Sequence, residues 1–154
     1  MTENCCYDNF ALATLEMKRQ GLLGDITHCE GAYIHRIENL SASWMEQSCA
    51  QHGGNPYPTH GIGPIGQLLG LHRTDRMDYL VSLTSDSKNK VNSTLIRTVN
   101  GVSILLQLDV ATPRPYSRLQ TVCGTKGFIQ NYPLPTVLPR NYGKRGMNLE
   151  CPMR

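Results

Sequence analysis

The sequence predicts an α+β fold, in which a mainly antiparallel open sheet has helices packed on one face. Three observations predict this class. A helical pattern of apolar residues occupies the N-terminal part, and a series of short extended runs fills the second half. Asn100-Gly101 separates two of those runs, and this dipeptide is typical of a two-residue type I′ hairpin turn.

The helical signal is clearest near the N terminus. Asp8 is a typical N-cap residue, and it predicts a helix from Asn9 to Gln20, which Gly21 and Gly24 then end. Shorter helices are predicted over Trp44–Ala50 and from Ile62 to about Leu71. The expected apolar face of the first helix consists of Phe10, Leu12, Ala13, Leu15 and Met17.

The extended runs begin with residues 26–37, where alternation places Tyr33 and His35 on one side of a strand. Val102 to Val110 alternates apolar and mostly polar positions, as expected of a strand with one buried face. The remaining strands are predicted over 78–83, 95–99, 119–123 and 128–130.

Composition and charge narrow the classes of function. The 154 residues carry a formal charge of +3, and the excess lies in the basic segment after residue 136. A chain without a basic face has little electrostatic attraction for nucleic acid, so no such partner is predicted. No apolar run approaches the roughly 20 residues of a membrane span, and residues 1–25 show no signal peptide.

The six cysteines do not form a recognisable pattern. They are scattered without C-x-x-C pairs in a chain large enough to fold unaided, so we expect reduced thiols. No zinc-ligand spacing occurs among them and the histidines, and no metal site is predicted.

Residues 55–66, N-P-Y-P-T-H-G-I-G-P-I-G, place three glycines at the spacing of a dinucleotide-binding loop. That loop requires a buried strand before the first glycine, whereas a turn-rich stretch with Pro56 and Pro58 precedes it here. The informative residues are therefore Tyr57 and His60. They form either one wall of a polar pocket or an ordinary helix entrance in which Tyr57 packs and His60 caps.

Several short stretches together resemble one family in the same order along the chain. They are E-N-C-C-Y at 3–7, E-G-A-Y-I-H at 30–35, Y-P-T-H-G-I-G-P at 57–64, D-Y-L-V-S at 78–82, T-L-I-R-T at 94–98, T-P-R-P-Y-S-R at 112–118 and G-T-K-G at 124–127. The stretches resemble the second domain of Gfo/Idh/MocA oxidoreductases. Within that superfamily, they are most similar to the NAD-dependent α-N-acetylgalactosaminidases, glycoside hydrolase family 109.

This resemblance implies a domain organisation. Residues 2–135 would form the substrate-binding and oligomerisation domain, and residues 136–154 a divergent basic tail. The family carries its NAD-binding Rossmann domain before this segment, so the sequence is expected to be a fragment or a truncated product. Alone it is expected to be inactive and to bind NAD weakly or not at all. The parent family implies a soluble protein of the bacterial cytoplasm or periplasm.

The resemblance also implies a reaction on N-acetylgalactosamine-type glycosides. NAD oxidises C3 of the sugar, a base removes the C2 proton, the C1 substituent leaves, water adds, and C3 is reduced again. The result is hydrolysis with retention. This chemistry needs proton-transfer groups rather than the paired carboxylates of ordinary glycosidases.

Site residues follow by position in the matching stretches. Tyr33 is the candidate C2 base, although a tyrosine pKa of about 10 must be lowered for that role. His60 is the candidate at the C3 hydroxyl. His35 is a further candidate site residue, because it is expected to share a face with Tyr33. The full expected set is Tyr33, Tyr57, Pro58, Thr59, His60 and Tyr116 for substrate, and Glu3, Asn4 and Tyr57 for cofactor. Each also has a purely structural interpretation as a packed, capping or surface side chain.

One departure from the family lies at residue 45. The family has Trp-Arg where this sequence has Trp44-Met45, so a cation expected to hold the substrate is missing. The segments before Trp44 and between Ser85 and Val91 are also shorter than the family's. Two alternatives therefore stay open: a sugar dehydrogenase domain, or a non-catalytic module that forms homo-oligomers through its open sheet.

Overall fold

A computed structural model describes residues 3–36, 44–85 and 91–139 of the chain. A short 3₁₀ helix (Asn4–Tyr7) precedes the regular elements. These are, in order, α1 (Asn9–Arg19), β1 (Ile26–Ile34), α2 (Trp44–His52), α3 (Thr59–Leu69), β2 (Met77–Thr84), β3 (Val91–Thr98), β4 (Ser103–Asp109), β5 (Gln120–Gly124), β6 (Gly127–Gln130) and β7 (Thr136–Pro139).

The seven strands form one open sheet in the order β2-β3-β4-β1-β5-β6-β7. Strand β1 runs parallel to β4, from His28 opposite Ser103 to Ile34 opposite Asp109. All other neighbouring strands are antiparallel. The predicted α+β class with a mainly antiparallel open sheet is therefore confirmed.

The core lies between the sheet and the helices α1 and α3. Strands β1, β3 and β4 present alternate side chains to it, among them Cys29, Ile96 and Ile104, all buried. Helix α3 contributes Ile65, Leu68 and Leu69 to the same cluster. This apolar layer fixes α3 against β1, the strand that carries Tyr33.

Glycines allow α3 to approach both β1 and the Glu3 side chain closely. A Cβ atom on Gly31 would lie 2.4 Å from the carbonyl oxygen of Gly61, a distance that no real Cβ contact tolerates. Gly63 is similarly restricted, because its Cβ would lie 2.8 Å from Cγ of Glu3. These glycines serve backbone and side-chain packing, in agreement with the rejection of a phosphate-binding loop.

The helix predictions need two corrections. On α1, Leu12 and Ala13 are exposed, whereas Ala11 and Thr14 are the buried positions. The Thr14 hydroxyl donates to the Phe10 carbonyl at 2.8 Å, which satisfies it in the core.

Helix α3 begins at Thr59, three residues before the predicted start. Pro58 occupies its N-cap position, and its carbonyl accepts from the N–H groups of Gly61 and Ile62. His60 and Gly61 thus lie inside the first turn instead of before the helix. Gly70, with φ 68°, ends the helix in the left-handed conformation.

The hairpin between β3 and β4 exists, but its predicted type I′ turn is wrong. That turn needs positive φ at both central residues, whereas Gly101 has φ 90° and Asn100 does not have a positive φ. The Gly101 N–H donates to the Thr98 carbonyl at 2.9 Å, which is typical of a three-residue loop. Asn100 instead bonds to Thr74 and Asp75 in the preceding loop.

The domain boundary at residue 135 stays a prediction, but Thr136–Pro139 already pairs with β6 as the last strand of the sheet. The remainder of the predicted tail, residues 140–154, lies outside the described residues, as do the shortened segments at 37–43 and 86–90. Among the described helices, none combines the length and apolar character that crossing a membrane requires.

Candidate functional site

Three predicted side chains meet where β1 and the start of α3 come together. The ring centroid of His60 lies 4.9 Å from that of Tyr33 and 4.9 Å from that of Tyr57. The two tyrosine rings are 5.7 Å apart and meet edge to face. Such separations are contact distances for aromatic rings, so the three groups form one cluster, which we call the Tyr-His cluster.

A carboxylate orients the imidazole of this cluster. Oε1 of Glu3 lies 2.6 Å from Nδ1 of His60, and both side chains are largely buried. Burial raises the pKa of Glu3, but hydrogen bonds from the Cys5 N–H and from His60 outweigh it and hold the pKa below its ordinary value. An ionised carboxylate only accepts hydrogen bonds, so Nδ1 carries the proton and, in the neutral ring, Nε2 is left as a base.

Cys5 completes a group of potential metal ligands with Glu3 and His60, whose ligand atoms all lie within 4.8 Å of one another. The separation between Glu3 and His60 is nevertheless that of a hydrogen bond. Two ligand atoms on one tetrahedral zinc ion lie roughly 3.3 Å apart. The 2.6 Å between Glu3 and His60 is too short for two ligands of one zinc ion. Burial also raises the pKa of Cys5 to about 11, so this side chain is a neutral thiol at neutral pH. The geometry is that of a hydrogen-bonded network.

The backbone of His60 is fixed by a residue that the sequence did not reveal. Pro64 lies inside α3 and has no N–H, so the His60 carbonyl loses its helical partner. The buried side-chain amide of Gln120 on β5 donates to that carbonyl at 3.0 Å, and to the Gly61 carbonyl at 3.3 Å. Pro64 therefore leaves a free carbonyl on His60, and Gln120 uses it to tie the helix to the sheet.

Tyr33 has both polar and charged neighbours. Its hydroxyl lies 3.1 Å from Nδ1 of His35, which confirms that the two side chains share a face of β1. The guanidinium carbon of Arg118 lies 5.8 Å from the Tyr33 ring centroid. Burial raises the pKa of Tyr33, and the positive charge of Arg118 opposes that rise without cancelling it. The net direction is opposite to the lowering that a base role requires.

Further aromatic rings extend the cluster to the surface. Trp44, the first residue of α2, packs edge-on against Tyr57 with ring centroids 5.8 Å apart. On the other side, His35 contacts Tyr116 at 5.0 Å, and Tyr116 contacts Tyr132 at 6.3 Å. Trp44 and Tyr116 are both exposed. Aromatic rings thus continue from the buried imidazole to open solvent.

The other predicted residues lie around this cluster. Pro58 and Thr59 form the entry of α3 beside His60. Asn4 is exposed and adjoins Glu3, whose carboxylate points inward to His60. The backbone N–H of Tyr57 is bonded to Asn55 at 3.0 Å. The side chain of Met45 is not among those described.

Sequence reasoning missed the contributions of Gln120, Arg118 and Cys5. The sequence did contain one indication that a side chain such as Gln120 is needed. Pro64 removes the N–H donor that the His60 carbonyl would otherwise have. Arg118 stood within a quoted motif, T-P-R-P-Y-S-R, but no feature of sequence placed it beside Tyr33. Four cysteines, Cys5, Cys6, Cys29 and Cys123, form no disulfide among the described residues.

Comparison with solved structures places the fold in a class. The chain superposes on an NAD binding oxidoreductase from Klebsiella pneumoniae with a TM-score of 0.70 and 16% sequence identity. The match covers 93% of this chain and 43% of that one. The chain therefore shares the fold of part of that oxidoreductase, in agreement with the α+β fold that the sequence predicted.

Sequence comparison identifies the family more closely. Residues 7–92 and 88–141 match the family described as Glycosyl hydrolase 109, C-terminal domain. The chain is 48% identical to Glycosyl hydrolase family 109 protein 2 of Phocaeicola vulgatus, across 97% of this chain and 44% of the relative. It is also 48% identical to an alpha-N-acetylgalactosaminidase of Bacteroides fragilis, across 89% of this chain and 40% of the relative.

The chain belongs to the glycoside hydrolase 109 C-terminal domain family. It spans less than half the length of the relatives that it matches.

Proposed function

We propose that this chain is the substrate domain of an NAD-dependent retaining glycosidase that acts on terminal α-N-acetylgalactosamine. The observation that carries the proposal is the Tyr-His cluster, in which a carboxylate-oriented imidazole lies in contact with two tyrosines. Membership of the family and the printed name of the Bacteroides fragilis relative supply the substrate class.

Tyr33 is assigned the removal of the C2 proton of the sugar. A proton-transfer group must lie within hydrogen-bond reach of the substrate. Tyr33 contacts His35, Tyr57 and His60, and the aromatic rings around it continue to solvent, from which a sugar would enter. His35 can exchange a proton with its hydroxyl across 3.1 Å.

His60 is assigned the C3 hydroxyl. Glu3 holds the proton on Nδ1, so Nε2 is available to accept the hydroxyl proton and later return it. Tyr57, Pro58, Thr59 and Tyr116 are proposed to shape the sugar site around these two groups. Exposed rings such as Trp44 and Tyr116 suit the apolar faces of a sugar.

Among the residues that the structure describes, NAD is proposed to contact one edge of the site. When bound, it supplies a reversible oxidation at C3 of the sugar. Asn4 is exposed next to the Tyr-His cluster and is the proposed contact, together with Tyr57. Glu3 is less suited to that role than the sequence predicted, because its carboxylate is engaged with His60. The glycines of α3 pack against β1 and Glu3 and leave no phosphate cradle there.

The test is a chimera in which this chain replaces the corresponding segment of the Bacteroides fragilis relative. We expect hydrolysis of an aryl α-N-acetylgalactosaminide and, in D₂O, incorporation of deuterium at C2 of the released sugar. Tyr33→Phe is expected to abolish both signals, while Tyr7→Phe, at an exposed position, is the matched control. Accumulation of NADH without aryl release would instead support the sugar dehydrogenase alternative.

A second candidate function, assembly of homo-oligomers, is favoured by one observation. Edge strand β2 and its neighbour β3 expose Tyr79, Val81, Leu83 and Leu95, with relative exposures of 54% to 72%. Val81 lies opposite Leu95, on the sheet face away from α3. Exposed apolar patches of this kind are common at protein interfaces. Light scattering of the chain and of Val81→Asp tests this candidate, and a monomeric wild type would contradict it.

A further inference from the structure

We infer that Arg118 is a positioning residue of the candidate site, whose fixed positive charge stabilises the ionised form of Tyr33. The inference rests on the proposed function, in which Tyr33 acts as a base. Arg118 acts through Tyr33 and is not assigned a contact with substrate.

The backbone holds Arg118 rigidly beside β1. On one side, Ser117 exchanges two backbone hydrogen bonds with Ile34, each of 2.9 Å, and on the other the Leu119 carbonyl accepts from the Ala32 N–H. The Arg118 carbonyl itself accepts from the side chain of Asn131 at 2.9 Å. Residues 117–119 are therefore fixed to the strand segment that contains Tyr33.

The guanidinium lies between two phenol rings. Its central carbon is 5.8 Å from the ring centroid of Tyr33 and 5.8 Å from that of Tyr116. Nη1 donates to the sulfur of Cys5 at 3.4 Å. A phenolate shares its negative charge between its oxygen and its ring, so a cation close to the ring favours the ionised form.

In residues 3–36, 44–85 and 91–139, no ion pair joins Arg118 to a carboxylate. The carboxylate of Glu3 is bonded to His60, and Cys5 is a neutral thiol. The Nε atom of Arg118 is buried and has no hydrogen-bond partner. A partly buried cation without a counter-ion favours formation of a negative charge next to it.

Other titratable groups also surround Tyr33, and none of them supplies a permanent positive charge. They are the imidazoles of His35 and His60, the phenols of Tyr57 and Tyr116, and the thiol of Cys5. Burial and the neighbouring phenols and thiol raise the pKa of Tyr33, while Arg118 lowers it. Removal of the Arg118 charge would leave the raising influences unopposed.

The experiment measures ionisation at residue 33 directly in the full chain. Tyr33 is replaced site-specifically by 3,5-difluorotyrosine, whose phenol ionises near neutral pH, and its ¹⁹F resonance is followed through a pH titration. We expect Arg118→Met and Arg118→Gln to move the midpoint to higher pH. Arg118→Lys, which keeps the charge, should move it less. Arg19→Met removes an exposed arginine of α1 and should leave the midpoint unchanged.

Equal midpoints in the wild type and Arg118→Gln would overturn the inference. Equal displacement by Lys and Gln would also overturn it, because charge would then not be the cause. Arg118→Gln retains hydrogen-bond donors. Comparison of Arg118→Lys with Arg118→Gln therefore tests the effect of charge even if Arg118→Met impairs folding. A shifted midpoint with an inactive chimera would reject the proposed function alone, and an active chimera without a shift would reject the role of Arg118 alone.

Discussion

Glu3 and His60 form a partly buried hydrogen bond of 2.6 Å between the segment before α1 and the first turn of α3. The two residues are 57 positions apart in the sequence. The contact is built by the packing of the 3₁₀ helix against α3, where Gly63 leaves room for the Glu3 side chain. It determines which nitrogen of His60 carries the proton.

Glu3→Gln is expected to destabilise the chain by about 1.5–3 kcal/mol at pH 7, because the bond to a charged acceptor is lost. Urea unfolding measures the difference. The pKa of Glu3 is lowered in the folded state, so its contribution is fully present above the ordinary value of 4.5 and is lost as pH falls through the folded value. A difference that grows on acidification would contradict this assignment. Glu16→Gln is the control, because this side chain lies on the solvent side of α1.

The same Glu3→Gln substitution is expected to change the tautomer of His60. In the wild type, ¹⁵N spectra should show the proton on Nδ1 of the neutral ring. The variant should show a mixture of both tautomers, because a carboxamide can donate as well as accept. Identical spectra would mean that Glu3 does not orient the ring.

Gln120→Leu is expected to cost about 1–3 kcal/mol, since the buried carbonyl of His60 then lacks a donor. Pro64→Ala restores an N–H at the position that normally serves this carbonyl. The double variant should therefore recover part of the loss, which a double-mutant cycle by denaturant unfolding measures. Strict additivity would show that Gln120 does not replace the missing helical bond. Gln20→Leu, at the exposed C-cap position of α1, is the control.

Gly31→Ala is expected to destabilise the chain by about 1–3 kcal/mol, because the new methyl group would meet the Gly61 carbonyl at 2.4 Å. It should also separate Tyr33 from His60 and weaken sugar binding. Gly66→Ala is the matched control, since its methyl group would lie 3.6 Å from Leu71 and alanine favours the helix by up to about 1 kcal/mol. Thermal unfolding compares the two. Equal effects would contradict the close-packing explanation.

Met45→Arg is expected to strengthen binding of N-acetylgalactosamine by roughly tenfold, the value of one charge-assisted hydrogen bond. The family resemblance places an arginine at this position, next to Trp44, which packs on Tyr57. Gln47→Arg adds the same charge at an exposed position of α2 and should have little effect. Calorimetry with the sugar makes the comparison. Equal gains from both substitutions would indicate non-specific attraction.

Calorimetry with NAD provides an independent check. We expect weak binding or none, because Asn4 and Tyr57 offer only one edge of a cofactor site and the α3 glycines are filled by packing. Micromolar affinity would contradict the rejection of the Gly61 stretch as a phosphate-binding loop.

The sequence by itself determined the order and type of most elements, because apolar periodicity and turn residues act over a few positions. It missed β7, which lies in the predicted tail. It predicted the helix after Asp8, the β3–β4 hairpin and the alternation that puts Tyr33 beside His35. The family resemblance selected Tyr33, Tyr57 and His60. The mistakes concern the exposed Leu12, the start of α3 and the conformation of Asn100, where tertiary contacts outweigh local preference.

Only the tertiary structure decided which groups of the cluster contact one another. Glu3, Gln120 and Arg118 reach His60 and Tyr33 from elements distant in sequence, and no local pattern encodes those contacts. The physical reason is that hydrogen bonds and charges act through space over a few ångströms. Packing of α3 on β1, with Gly31 against Gly61, brings those groups within that range.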